Sequence, residues 1–352
     1  LSYNDELRRF IAALEVKGHL NRALEFLPAD EEQAARAVQG EGLTRPELAV
    51  VMAYAKSELK DVLAATDIAD DSYLAQQITT AFPATLEQQY PQALHGHRLR
   101  REIVATEYAN EMVNYMGITY VERMRESMGA TAGQVVQAYT AARDIFGMIP
   151  LWKAVEALDH KVPAELQMLM MKRIMRMVRH SSRWLLQQRY ETVTTQELIE
   201  HFAAGVENVA GSLQGYLTGD LAELWTSSQR SFKEAGVPVK LAKQIASTDE
   251  LYFALDVVDV ANRTGSSVEQ TAGVFFDLIS RLDLHRFRQG ISHLDVENIW
   301  HSKVREVFRD DVDRQLRILT MSVLQFDDIA SAVPRDKVSA WLEAQSQQMA
   351  RW

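Results

Sequence analysis

The sequence predicts a mainly α protein: an irregular multi-helix array or bundle, two or three packed helical subdomains, and no significant sheet. Three observations carry this reading. Apolar residues recur at helical spacing along nearly the whole chain, sustained alternation of apolar and polar residues is absent, and helix-start signals of the form S/T-x-x-E repeat. At 352 residues the chain exceeds one typical domain. It is long enough to bury a substantial core without covalent staples.

The most explicit helix start lies in EGLTRPELAVVMAYAKSELKDVL, residues 41–63. Thr44 and Glu47 form a capping box, in which the hydroxyl accepts from the Glu47 N–H and the carboxylate accepts from the Thr44 N–H. Pro46 sits in the first turn, where its missing N–H costs nothing. Leu43 and Leu48 occupy the positions of a hydrophobic staple. Leu48, Val51, Met52, Ala55, Leu59, Val62 and Leu63 then mark one buried stripe. Similar boxes are read at Thr194/Glu197, Ser247/Glu250 and Ser266/Glu269, the last after Gly265 as a helix stop.

Helices are expected over 4–16, 30–39, 44–64, 98–116, 131–146 and 163–189, the longest. They continue over 196–210, 220–235, 237–247, 249–263, 267–280, 295–325 with a possible break near 310, and 335–349. The β-rich stretch Tyr190–Thr194 runs into a cap and reads as a connector. Breakers cluster in FPATLEQQYPQALHGH (82–97) and GSLQGYLTGD (211–220), which divides the chain into 1–94, 95–215 and 216–352. No fixed-period repeat is present.

Composition narrows the function classes. There is no cysteine, so no disulfide framework and no thiolate nucleophile or metal ligand; this fits a reducing, cytoplasmic setting. No apolar run approaches the roughly 20 residues of a membrane helix. A net charge of -10 argues against nucleic acid and anionic membrane as partners. The opening LSYNDELRRF has neither an initiator Met nor the order of a signal peptide and reads as the start of a piece of a longer protein.

Catalytic motifs are mostly missing. Gly40-Glu41-Gly42-Leu43-Thr44-Arg45 approaches a dinucleotide fingerprint, but its last position is Arg and no strand precedes it, so it reads as a linker into a capped helix. His95 and His97 flank a loop glycine, and His285, His293 and His301 are spaced too widely for one metal. The pairs Asp70–Asp71, Asp310–Asp311 and Asp327–Asp328 read as solvated faces or caps. Ten of the thirteen methionines fall between Met112 and Met177, which suits core packing of irregular gaps. Catalytic, cofactor and metal residues are therefore expected to be none.

Two basic stretches stand out. One is His97-Arg98-Leu99-Arg100-Arg101. The other lies on the 163–189 helix, where Lys172, Arg176, Arg179 and Arg183 follow i, i+4, i+7, i+11 and share a face. That face is either an anion or partner site, or a helix side paired with carboxylates of this acidic protein.

LNRALEFLPADEE (20–32), GLTRPELAVVMAYAK (42–56), HRLRREIVATEYANEMVNYMG (97–117), FGMIPLWKAVEALD (146–159) and RWLL (183–186) together resemble the C-terminal region of the large bacterial NAD-specific glutamate dehydrogenases. The resemblance is collinear from about residue 20 to 190. It implies a parent enzyme that converts L-glutamate to 2-oxoglutarate and ammonia with reduction of NAD, an oligomer whose catalytic lysine, catalytic aspartate and nucleotide fold lie N-terminal to this segment. The chain is then a non-catalytic helical domain with an assembly or regulatory role, partnered by the catalytic domain of its own chain, and binding no NAD itself. The alternative is a free-standing interaction module that uses the basic face of 163–189.

Thr44→Ala is expected to lower stability by about 1 kcal/mol, because it removes one side of the capping box. A thermal melt checks it; T44A and E47A melting together with the parent would mean that the helix does not begin at Thr44.

Overall fold

The box at Thr44 forms as the sequence dictates. The Glu47 carboxylate accepts from the Thr44 N–H at 2.6 Å, the Thr44 hydroxyl accepts from the Glu47 N–H at 3.5 Å, and the first helical bond follows at Leu48. A computed structural model describes residues 2–188, 192–326 and 333–349 of the chain. Among them it contains α-helices, one 3₁₀ helix and no strand, so the mainly α class holds.

In chain order the helices are α1 (Ser2–Val16), α2 (Asp30–Val38), α3 (Arg45–Ala64), α4 (Ala84–Gln89), α5 (Pro91–His95) and α6 (Arg100–Met116). There follow α7 (Tyr120–Met128), α8 (Ala132–Ile145), α9 (Met148–Glu156), α10 (Ala164–Gln187), α11 (Thr195–Tyr216) and α12 (Gly219–Glu234). The last six are α13 (Val239–Leu251), α14 (Ala254–Thr264), α15 (Val268–Arg281), α16 (Leu284–Ser292), α17 (Ile299–Leu324) and α18 (Pro334–Met349). The 3₁₀ helix, Leu74–Ala81, lies between α3 and α4.

Several boundaries differ from expectation, each for a local reason. Ser247 starts no helix: it lies inside α13, where its hydroxyl donates to the Lys243 carbonyl and accepts from the Trp225 indole N–H. The break falls instead at Tyr252–Phe253. Ser266 is consumed in closing α14, its N–H returning to the Ala261 carbonyl beyond Gly265, and the cap of α15 passes to Ser267. The expected break near 310 is absent from α17, and α11 runs through Gly211 and Gly215. The 82–97 breakers start short helices, with Pro83 capping α4 and Pro91 opening α5. The Thr194/Glu197 box forms as expected. Tyr190 and the Asp327–Asp328 pair lie outside the described residues.

The chain divides into two compact units, and neither is a continuous segment. The first comprises Leu1–Ala142, Ser182–Leu198 and Asp295–Lys303. In it α3 packs on α6, burying Val51, Ala55, Leu59 and Leu63 of the expected stripe against a helix that buries Val104, Tyr108 and Met112. Leu48, Met52 and Val62 are half-buried. Arg36 of α2 pairs with Glu47 at 2.9 Å and so ties α2 to the box. A buried ion pair joins Glu6 of α1 to Arg123 of α7 at 2.7 Å, and Arg123 also donates to the Ser302 hydroxyl. The clustered methionines serve the cores of both units, with Met112, Met116, Met124, Met148, Met170 and Met177 all buried.

The second unit comprises Arg143–Ser181, Ile199–Leu294 and Val304–Trp352. Its centre is α14 and α15, which pack together and bury nearly every residue from Ala254 to Ala261 and from Thr271 to Ile279. Phe253, Phe275 and Phe276 form an aromatic nucleus on which Tyr216 stacks. Two glycines set close helix approaches. A Cβ at Gly205 would lie 2.5 Å from Val258 Cγ2, and one at Gly273 would lie 2.6 Å from Pro334 Cγ.

Gly205→Ala should therefore destabilise the protein by about 1–3 kcal/mol, because Val258 is β-branched, buried and unable to swing aside. Adding Val258→Ala should restore part of the loss. Denaturant melts of the single and double variants measure both; a stabilised G205A would mean that the helices are free to separate.

Candidate functional site

The second unit contains a cavity of about 570 Å³, within the range of small-molecule sites. Its walls come from α10, α12, α13, α15, α16 and α17, with Tyr252 of the α13–α14 break also lining it. Six arginines line it: Arg173, Arg176 and Arg179 of α10, Arg288 of α16, and Arg305 and Arg309 of α17. Leu221, Leu224, Trp225 and Ile279 give it an apolar side. The lining carboxylates are Asp249 and Glu250, and Asp313 stands behind Arg288.

The guanidinium groups are held rather than loose. Arg173 lies over the Phe232 ring at 5.2 Å and donates to the Ser228 hydroxyl at 2.8 Å. Arg173 and Arg176 share Asp249 at 3.6 and 3.5 Å. Arg288 lies over Phe253 at 4.4 Å and Tyr252 at 5.2 Å, with Asp313 3.2 Å from its Nε. The Tyr252 hydroxyl donates to the other Asp313 oxygen at 3.1 Å. Arg305 donates to the carbonyls of Ser292 and Leu294, and Arg309 donates to His180 Nε2 at 3.2 Å.

Positive charge dominates the electrostatics. Burial, then the neighbouring Arg179, Arg309, Arg288 and Arg176, drives His180 well below the usual imidazole range, so it stays neutral and accepts from Arg309. Burial, followed by repulsion from Arg288, lowers Arg309 itself. The Glu250 carboxyl is pushed up to about 7 by burial; Arg288 pulls it down, while Asp249 and Asp313 push it further up. One of the few acids in the wall is thus half neutralised near neutral pH.

The residues singled out in the sequence separate here. Arg176 and Arg179 line the cavity, Lys172 is exposed and outside the lining, and Arg183 is buried and donates to the Ser127 hydroxyl at 3.1 Å. Arg288, Arg305, Arg309, His180 and Glu250 were not legible as site residues. The only available signal was the arginine density between 281 and 317. The other basic stretch is structural, since Arg100 and Arg101 both bind Asp70. Asp71 caps the following turn through Tyr73 N and Leu74 N, and Asp311 pairs with Arg314. The Gly40–Arg45 run is the approach to the α3 cap. Among the described residues no group of three His, Asp or Glu side chains could hold a metal, and no helix is long and apolar enough to cross a membrane.

Residues 40–352 match the family model "Glutamate dehydrogenase, C-terminal". This chain belongs to that family. Over 99% of its length it is 41% identical to an NAD-specific glutamate dehydrogenase of Pseudomonas aeruginosa. It is 40% identical over 98% to that of Halomonas elongata, and 32% identical over 94% to that of Mycobacterium tuberculosis. The chain spans 21%, 21% and 20% of the length of these curated relatives. The glutamate dehydrogenase C-terminal family therefore extends through the arginine-lined cavity as well as through the segments whose motifs resemble it.

The raised Glu250 gives a signed pH dependence. Its pKa is higher folded than unfolded, so its contribution to stability is full below about 4.5 and is lost as pH rises through about 7. Glu250→Gln, which never ionises, should exceed the parent in stability by about 1–3 kcal/mol above pH 8. The advantage should shrink towards pH 5. Paired denaturant titrations across that range measure it; a pH-independent difference would mean that Glu250 is solvated.

Proposed function

We propose that this chain is the non-catalytic C-terminal helical domain of an NAD-dependent glutamate dehydrogenase, serving assembly or regulation of the parent enzyme. The observation that carries the reading is the C-terminal family match over 40–352, set against relatives roughly five times as long. The parent would oxidise L-glutamate to 2-oxoglutarate and ammonia, with NAD bound by another part of the polypeptide. The partners of this domain would be the catalytic part of the same chain and other copies of the enzyme, in the cytoplasm.

Two features support a supporting role. In a doubly wound dinucleotide-binding fold the pyrophosphate sits at a strand–helix turn, and the one glycine-rich run here that approaches its pattern leads into a helix cap. In addition, α17 exposes Val304, Val307 and Phe308 at i, i+3 and i+4. An apolar stripe of that kind suits burial against another surface.

The purified chain should produce no NADH from L-glutamate and NAD, whereas the full-length protein should. Removing residues 40–352 from the full-length protein should alter the number of subunits in its assembly, read from the mass in sedimentation equilibrium, or its response to effectors. Glutamate-dependent NADH formation by the purified chain would overturn the non-catalytic reading. An unchanged number of subunits per assembly together with unchanged kinetics of the truncated enzyme would overturn the assembly or regulatory one.

A further inference from the structure

We propose that the arginine-lined cavity of the second unit is a binding site for a small polyanion carrying two or more phosphoryl or carboxylate groups. The inference rests on the chemistry of the cavity and holds whatever part the domain plays in the enzyme.

The lining is a strong departure from the rest of the molecule. A protein with a net charge of -10 gathers six guanidinium groups into one concavity of about 570 Å³. The cavity wall itself carries two carboxylates, Asp249 and Glu250, with Asp313 close to Arg288 and Glu306 close to Arg309. Asp249 is shared by Arg173 and Arg176, and Asp313 is engaged by Arg288 and Tyr252. Burial holds Glu250 close to half protonation at neutral pH. Crowded like charges raise the free energy of the folded state, and the most direct compensation is a multivalent counter-ion in the cavity.

The geometry also favours a bound ligand over diffuse counter-ions. Arg288 is fixed on two aromatic faces, Arg305 on two backbone carbonyls, and Arg173 on a ring and a hydroxyl. Fixed forks on different helices meet an oxyanion without a large ordering cost. The Leu221, Leu224 and Trp225 side would receive a less polar body. Arg176 of α10 and Arg309 of α17 are the two arginines whose removal should be felt most directly. The volume suits a small molecule and excludes a duplex or a folded partner.

Isothermal titration of the full-length protein with inorganic pyrophosphate, and separately with propane-1,2,3-tricarboxylate, tests this at matched ionic strength against NaCl. Saturable binding of either probe at one site per chain is expected. Arg309→Gln should weaken it by about 10-fold or more, the loss of a charge-assisted contact. Arg176→Gln, at a half-exposed position, provides the same test should R309Q disturb folding. Arg98→Gln, on the exposed surface of the first unit, should bind as the parent does. Preference for pyrophosphate would identify a phosphorylated ligand, preference for the tricarboxylate a polycarboxylate, and equal binding a general oxyanion site. Binding no stronger than the NaCl control, or undiminished in both R309Q and R176Q, would overturn the proposal.

Discussion

The second unit depends on one arginine. Arg288 of α16 lies across the faces of Tyr252 and Phe253, at the point where α13 gives way to α14, and Asp313 of α17 is drawn against it. Neither glycine nor proline marks that break. The backbone turns there because Phe253 is fully buried against Phe275 and Phe276, while Tyr252 extends to hydrogen-bond Asp313. A straight helix would carry these two rings to different sides. The break, the cation over the rings and the acid behind it fix α13, α14, α16 and α17 together, and the cavity is the space that this arrangement leaves beside α10.

Buried charge is handled differently in the two units. In the first, Glu6 meets Arg123 at 2.7 Å and also accepts from the Thr119 hydroxyl, so both charges are answered within the protein. Such a pair contributes little net stability, but removing one partner would strand the other. In the second, six arginines gather around a wall that carries two carboxylates; burial and neighbouring positive charge lower His180 and Arg309, while burial raises Glu250 against the pull of Arg288.

Legibility in the sequence followed the range of the interactions. The capping boxes at Thr44 and Thr194 are complete within four residues, so composition and spacing suffice to read them. Long helices such as α10 and α17 declare themselves by several turns of periodicity. Helices α7, α9 and α16 carry only nine residues each and were missed, whereas α2, equally short, was read at 30–39, where Asp30, Glu31 and Glu32 mark its first turn. Ser247 matched a cap pattern but was claimed by Trp225, a tertiary partner 22 residues away. The basic face of α10 was visible as a stripe. Its division into a solvated Lys172, cavity-lining Arg176 and Arg179, and a buried Arg183 depends on neighbours that no local pattern encodes. The contribution of α16 and α17 to the site was invisible for the same reason, since over a hundred residues separate Arg176 from Arg288.

The same distance in sequence gives the cavity its consequence for the fold. Its walls are helices from widely separated parts of the chain, so the site exists only when the second unit is assembled. Whatever binds there binds the folded state and not the unfolded chain, and stabilises the unit in proportion to the logarithm of its occupancy ratio. The elements that respond are those that Arg288 holds together: the Tyr252–Phe253 break, α16 and α17. Helix α17 also presents the exposed stripe of Val304, Val307 and Phe308, with Arg305 and Arg309 lying among and beside those residues. One helix thus carries both a wall of the cavity and an apolar surface. A charge placed in the cavity acts directly on the arginines of that helix, which gives a short physical route from ligand to surface without any long-range pathway.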